Sequence, residues 1–447
     1  MTILAVDFGS TFTKGALLAD DGSVLATAST PTTGTVGRGD ILDGYRTLRT
    51  SLAVPDDAAV HACSSAGGGL RLAVVGYERM VTAQAGHRVG LSAGSKVVHV
   101  AAGELTSRDA DAVRASRPDI ILLVGGTDGG NADVLLHNAG RLAKACIGGR
   151  GAHAVPVVLA GNVEARDEAA ARLAETGRPT ILADNVLPQI GVIAPESARS
   201  AIREAFLRHV IGGKGLSRDP AFGEMVEAAT PDAVLRGVEV LADLPEVGDV
   251  LVVDVGGATT DVYSCITPEG EDATLHKDVV APLWHARTVE GDLGMRWSAV
   301  GVVEGAEAEH LLSSVTEPAA LTAYAAHVAA HPGSLPADDA ERGYDLELAR
   351  LAALVAVRRH ARPPLPTESP RPLGNVTMLI GSGGVLRHSG KEGRDHVLRA
   401  VLLDHAGGWK VPRKAHATVD TAYLLFVAGL LAEHQPEVAR RVASQIL

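Results

Sequence analysis

Val6-Asp7-Phe8-Gly9-Ser10-Thr11-Phe12-Thr13-Lys14 opens the chain, and a variant, Val253-Asp254-Val255-Gly256-Gly257-Ala258-Thr259-Thr260-Asp261, returns past its middle. Each copy follows a short apolar run (3–6 and 250–253) that reads as a buried strand. Each then gathers a carboxylate, a glycine and several hydroxyls into a tight turn. Such a turn suits a phosphate chain. Glycine lets backbone N–H groups come close to an anion, and the hydroxyls of Ser10, Thr11, Thr13, Thr259 and Thr260 add hydrogen bonds. Asp7 and Asp254 would repel naked phosphate, so they imply an intervening cation. Mg²⁺ is typically held by one or two carboxylates together with substrate phosphates. Lys14 adds a positive point charge beside the first loop, where the second copy has Asp261.

A chain of 447 residues is too long for one ordinary core, so two or three domains are expected. Aromatics make up only 3%, which leaves Ala, Val, Leu and Ile to build the interior. Fifty glycines suit an α/β protein with many turns better than a helical bundle. The formal charge of −12, with no long basic run, argues against nucleic acid as a partner. Cys63, Cys146 and Cys265 are far apart and form no CxxC, so they read as buried free thiols of a reducing cytosol. Seventeen histidines are scattered without metal-ligand spacing. No run approaches the ~18 apolar residues of a membrane span, and Met1-Thr2-Ile3 leads straight into the first strand without a signal peptide. A cytoplasmic protein is expected.

Strands are expected over 3–7, 15–19 and 23–29 as a meander turning at Asp20-Asp21-Gly22, followed by a helix over 41–51. Further strand-like runs lie at 61–64, 96–100, 120–124, 155–160 and 180–183, with helical patterns at 134–145 and 164–175 between them. That alternation indicates a sheet with parallel members covered by helices. Residues 196–247 read as a mostly helical connector. A second meander follows, with strands at 250–254, 261–266 and near 274–279, then helices to Arg362 and a proline-rich loop over 362–372. Beyond it, Val376-Thr377-Met378-Leu379-Ile380-Gly381-Ser382-Gly383-Gly384-Val385 is a strand ending in a glycine-rich turn that opens a helix, a place suited to an anionic or nucleotide ligand. The apolar stretch 419–431 reads as a packed helix with Asp420 and Thr421 as caps.

In order and spacing, these three motifs resemble the superfamily of acetate and sugar kinases, Hsp70 and actin. The resemblance implies an α/β chain of two related actin/Hsp70-like (ribonuclease H-like) domains facing across a nucleotide cleft, with ATP and Mg²⁺ as ligands. By position, Asp7 and Asp254 would hold Mg²⁺ mostly through water. Gly9, Ser10, Thr11 and Lys14 would wrap the phosphates from one side. Gly256, Gly257, Thr259, Thr260 and Asp261 would do so from the other. Gly381, Ser382, Gly383 and Gly384 would pack against adenosine. The superfamily also carries an acid after the last strand of its first domain. Ile181-Leu182-Ala183-Asp184-Asn185-Val186 stands where that segment is expected, making Asp184 the candidate for orienting the attacking water. The implied boundaries are 1–195 for the first domain, rejoined by 418–447, then 196–247 as connector and 248–417 as second domain.

The whole chain is similar to the MutL family associated with glutamate mutase, also called GlmL. The supporting segments are Ser64-Ser65-Ala66-Gly67-Gly68-Gly69-Leu70, Ala101-Ala102-Gly103-Glu104-Leu105, Ile121 through Gly125-Gly126-Thr127-Asp128-Gly129-Gly130-Asn131, and Thr288-Val289-Glu290-Gly291-Asp292-Leu293-Gly294-Met295-Arg296. The family implies an ATPase that acts as a reactivating chaperone of adenosylcobalamin-dependent glutamate (methylaspartate) mutase, exchanging damaged cobalamin. A small-molecule kinase is the alternative. An iron–sulfur activator of radical dehydratases is disfavoured by the lack of a cysteine pair. Homo-oligomerisation stays open. The turn at 125–130 serves equally as sharp strand-to-helix geometry or as a contact to nucleotide or a partner protein, and the one at 67–69 reads rather as turn geometry. The segment 290–294 resembles the glycine–acid turn that follows the second phosphate loop in Hsp70-like chains, with turn geometry favoured over a site role.

Overall fold

The computed structural model describes residues 2–34, 39–66, 70–77, 95–149, 151–211, 216–267, 285–363, 370–412 and 414–447, with a few positions between 83 and 90. The turn at 67–69, the strand expected near 274–279, Trp284 and residues 364–369 of the proline-rich loop lie outside them. Among the described residues, 2–234 form one compact unit, and 235–267 with 285–447 form a second.

In the first unit, strands β1 (Ile3–Phe8), β2 (Phe12–Leu18) and β3 (Val24–Pro31) make the expected meander. β4 (Ala59–Ser64) runs parallel to β1 on its other side. β1 is buried along its whole length, as the apolar run at its start requires for a strand paired on both edges. The helix Ile41–Ser51 forms where it was expected. Asp40 caps it by accepting from the Leu42 N–H, and Asp43 returns a bond to the Asp40 N–H. Ile41, Tyr45 and Leu48 pack on Leu4, Val6 and Phe8 of β1. A fully buried leucine of this kind contributes about 2 kcal/mol relative to exposure.

β5 (Arg71–Gly76), β6 (Lys96–Ala102), β7 (Ile120–Leu123), β8 (Val157–Leu159) and β9 (Thr180–Leu182) form a separate, all-parallel sheet in the order β6-β5-β7-β8-β9. This is a doubly wound arrangement with helices on both faces. Leu72 and Val74 of β5 bury into one core, and Ala73 and Val75 into another. The chain then returns to the first sheet with β10 (Val226–Ala229), parallel to β4, completing the order β10-β4-β1-β2-β3. The doubly wound sheet is therefore an insertion between the fourth and fifth strands of the first sheet.

The second unit repeats that first sheet. β11 (Val250–Val255), β12 (Thr260–Cys265), β13 (His285–Glu290), β14 (Met378–Ser382) and β15 (His416–Val419) lie in the order β13-β12-β11-β14-β15, with the same parallel and antiparallel pairings. Leu251, Val253 and Val255 face the long helix Asp339–Ala361 across a shared core. The architecture is two related ribonuclease H-like sheets, each in its own unit.

Two expected boundaries are corrected. Residues 418–447 join the second unit instead of the first. β15 pairs with β14, and the wholly buried helix Leu425–Leu431 follows, its first N–H groups at Leu424 and Leu425 bonded to Asp420 at 2.8 and 3.0 Å. Residues 196–247 are more than a connector. The helix Glu196–Ala205 buries Ala198, Ala201 and Ile202 in the first unit's core, and β10 is a strand of its sheet. Of the three thiols expected to be buried, those of Cys63 and Cys265 are, whereas Cys146 is exposed.

Candidate functional site

The two Asp–Gly turns occupy the same place in their sheets. Asp7 lies near the end of β1, opposite Lys14 of β2 and beside Cys63 of β4. Asp254 lies near the end of β11, opposite Asp261 of β12 and beside Ser382 of β14. Both turns close by the same bond, Gly9 N–H to Phe12 O at 3.2 Å and Gly256 N–H to Thr259 O at 2.9 Å. A side chain does not fit either: a Cβ would sit 2.6 Å from Phe12 O at Gly9 and 2.9 Å from Thr259 O at Gly256.

In the first turn the carboxylate of Asp7 is buried, only 1% exposed. Its Oδ1 accepts from Thr230 Oγ1 at 2.5 Å and from Cys63 Sγ at 3.7 Å, and its Oδ2 faces Lys14 Nζ at 3.9 Å. Burial, then the nearby Asp7 charge, pushes the Cys63 thiol up, so it stays protonated as a donor. Carbonyl oxygens of the loop are satisfied from behind, Gly9 O by Thr32 Oγ1 at 2.8 Å and Thr11 O by the Thr32 N–H at 2.9 Å. Ser10 and Thr11 are exposed, whereas Thr13 is buried with its hydroxyl against Thr32 at 3.1 Å.

The second turn is braced by the segment 290–297. Gly256 O accepts from the Met295 N–H at 2.9 Å, and Gly257 O accepts from Arg296 and Trp297 at 2.8 and 3.0 Å. Gly294 lies so close that a Cβ there would be 2.4 Å from Ala258 C. Arg359 fixes the acid turn by donating to Glu290 and Asp292, each at 2.8 Å. Thr259 donates to Asp261 at 3.2 Å, and the buried Thr260 donates to Leu293 O at 2.6 Å, so its hydroxyl serves the fold. Asp261 also accepts from the buried Arg287 at 2.9 Å. Sequence gave no signal for Arg287, Thr32 or Thr230, because strand pairing alone brings them in.

The third loop ends β14 beside the second turn. Gly383 has φ +103, and a Cβ there would lie 2.1 Å from Val255 O, so glycine is required where β14 and β11 finish together. Gly381, Ser382 and Gly383 are buried, and Gly384 is exposed at the start of the short helix Gly384–His388.

Asp184 lies elsewhere. It follows β9, the edge of the inserted sheet, and its exposed carboxylate is 3.7 Å from Arg166. Its neighbours are the other expected turn: Asn185 donates to Gly126 O at 2.9 Å and Asp128 at 2.8 Å, and Asn162 donates to Gly130 O at 3.0 Å. The strand that closes the first sheet is β10, so the segment following the first domain's last strand is Thr230-Pro231-Asp232. That displaces the premise on which Asp184 was selected.

Each of the two turns, taken within its own unit, offers one carboxylate beside a glycine turn, a donor set of the kind a hydrated Mg²⁺–phosphate ligand takes. Among the described residues no group of three or more His, Cys, Asp or Glu forms an all-protein metal cage, and Mg²⁺ characteristically takes few carboxylates plus water and phosphate oxygens. Among the described residues no helix is long and apolar enough to cross a membrane.

The chain is similar to a ROK family glucokinase from Streptomyces griseus in complex with glucose and AMPPNP, at 14% identity and a TM-score of 0.34 over 100% of both chains. It is also similar to nucleotide-free acetone carboxylase, at 14% identity and a TM-score of 0.39, over 96% of this chain and 70% of that one. At these scores the overlaps carry no weight, and the fold rests on strand order and register. Protein MutL of Clostridium tetanomorphum is 34% identical over an alignment 471 residues long, covering 99% of this chain and 98% of that protein. The family model described as MutL protein matches residues 3–447. The chain belongs to the MutL family.

Proposed function

We propose that this protein binds and hydrolyses ATP–Mg²⁺ and uses the cycle to reactivate adenosylcobalamin-dependent glutamate mutase, releasing damaged cobalamin so that intact coenzyme enters. The reading rests on the duplicated turn: Asp7 and Asp254 occupy the same register in two identically ordered sheets, each beside a glycine turn that excludes a side chain. Membership of the MutL family supports the mutase as partner. Gly9, Ser10, Thr11 and Lys14 with Gly256, Gly257 and Thr259 would take the phosphates, Asp7 and Asp254 the hydrated metal, and Gly381 to Gly384 the adenosine. Bound Mg²⁺ would neutralise phosphate charge. Nucleotide drives a conformational change only through its different affinity for the two states.

The test incubates the protein with ATP, Mg²⁺ and mutase blocked by cyanocobalamin, then adds adenosylcobalamin. Recovery of mutase activity with ATP consumption is expected. Recovery should be lost in Asp254→Ala and retained in Asp184→Asn, whose carboxylate lies on the inserted sheet. No recovery, together with phosphorylation of an added metabolite, would establish the kinase reading instead.

A further inference from the structure

Asp7 is reached by a residue far along the chain. β10 pairs with β4 so that Ala229 lies beside Ser64, and the next residue, Thr230, donates to Asp7 Oδ1 at 2.5 Å. A hydroxyl bonded to a carboxylate is charge-assisted, and burial removes water as a competitor. Thr230 is also the first residue of the helix Thr230–Ala242. The first turn of that helix is held within the first unit, where the buried Asp232 accepts from Arg203 at 2.8 Å and faces Arg199 at 3.9 Å. From Leu235 onward the helix belongs to the second unit. There Arg236 donates to Glu433 at 3.1 Å, and Gly237 packs so tightly that a Cβ would lie 1.9 Å from Leu425 O.

We infer that Thr230 is a positioning residue for the nucleotide–metal site, an inference that rests on the ATP reading above. Its hydroxyl pins Asp7 Oδ1, leaving Oδ2, which faces Lys14, as the oxygen that would be available to a hydrated metal. The same bond makes the first turn of the helix Thr230–Ala242 register whether Asp7 is engaged, because that turn starts on the carboxylate and is held within the first unit by Asp232 and Arg203. Thr→Val removes the hydroxyl at nearly constant shape, and Thr→Ser keeps it.

The experiment titrates the full-length chain with ADP by calorimetry, in excess Mg²⁺ and in EDTA, and follows hydrogen exchange of 230–242 under both conditions. Wild-type chain should bind ADP more tightly with Mg²⁺ and gain protection in the first turn of the helix only then. Thr230→Val should lose about tenfold of the Mg²⁺-dependent tightening, the scale of one hydrogen bond to a charged group, with its affinity in EDTA unchanged. Thr230→Ser should restore both readouts. Equal Mg²⁺ dependence in Thr230→Val, equal losses with and without Mg²⁺, or failure of Thr230→Ser to rescue would overturn the inference. If Thr230→Val does not fold, wild-type protection that rises equally in EDTA overturns it. A wild-type chain that binds no ADP under either condition removes the ATP reading itself, a separate outcome.

Discussion

Lys14 and Asp261 hold the same place in the two hairpins, directly across from Asp7 and Asp254. Facing like charges destabilise an antiparallel pair, so the second hairpin needs a cation from elsewhere. Arg287 of β13 supplies it, donating to Asp261 at 2.9 Å and lying 5.5 Å from the Tyr263 ring centre. Burial works against its charge, but Asp261 first, then Tyr263 and Asp254, outweigh that and hold its pKa above the ordinary value. Arg287→Met should therefore cost about 3 kcal/mol in urea unfolding, the scale for orphaning a buried charge. Adding Asp261→Asn should recover most of the loss. An unchanged midpoint in Arg287→Met would show that the two carboxylates tolerate each other. The sequence displayed the asymmetry between Lys14 and Asp261, but its remedy comes from a third strand that only sheet pairing identifies.

At the scale of elements, the long helix Asp339–Ala361 carries a buried histidine that the scattered histidine pattern did not single out. His360 Nε2 is 2.9 Å from Ser264 Oγ and Nδ1 is 3.0 Å from Thr288 Oγ1, which ties the helix to β12 and β13. Burial, and then the charge of Arg371, pushes its pKa well below the ordinary imidazole value of 6.5. Well above pH 6.5 the ring is neutral in both folded and unfolded chains and has no pH effect. As pH falls through that value the unfolded chain takes up a proton that the folded chain refuses, so stability decreases as pH decreases, at a limiting slope of about 1.4 kcal/mol per unit. Urea midpoints measured from pH 7 to 5 should drop for the wild type and drop less for His360→Gln. Parallel curves would remove His360 as the cause. Among the strands, the first meander and the β11–β12 hairpin of the second were legible because apolar runs end in Gly and Asp turns. The strand beside β12 is instead β13 at 285–290, and the one expected near 274–279 lies outside the described residues. β10 was not: Val226-Glu227-Ala228-Ala229 has neither alternation nor β-branched density, and it is a strand because β4 offers it an edge.

For the whole molecule, the division of the chain is the informative result. Ending the chain before Leu425 removes a helix whose every residue is buried, together with the partners of Arg236 and Gly237. Hydrogen exchange should then lose protection in β14 and β15 of the second unit while β1, β2 and β4 of the first keep theirs. Loss confined to the first unit would restore the boundary expected from sequence. The insertion of β5 to β9 explains why one domain was read across 1–195: strand and helix alternate through both sheets, and periodicity is blind to which sheet a strand joins.

By itself the sequence determined the repeated Asp–Gly turn, the chemistry it suits, the first meander, the β11–β12 hairpin and the family, because these depend on residues adjacent in the chain. Tertiary structure decided what depends on residues far apart: the inserted sheet, the place of residues 418–447, the Arg287 brace, and the bond from Thr230 to Asp7. Local pattern specifies a strand and its turn, but pairing energy selects the neighbour, and that choice sets which side chain reaches the carboxylate.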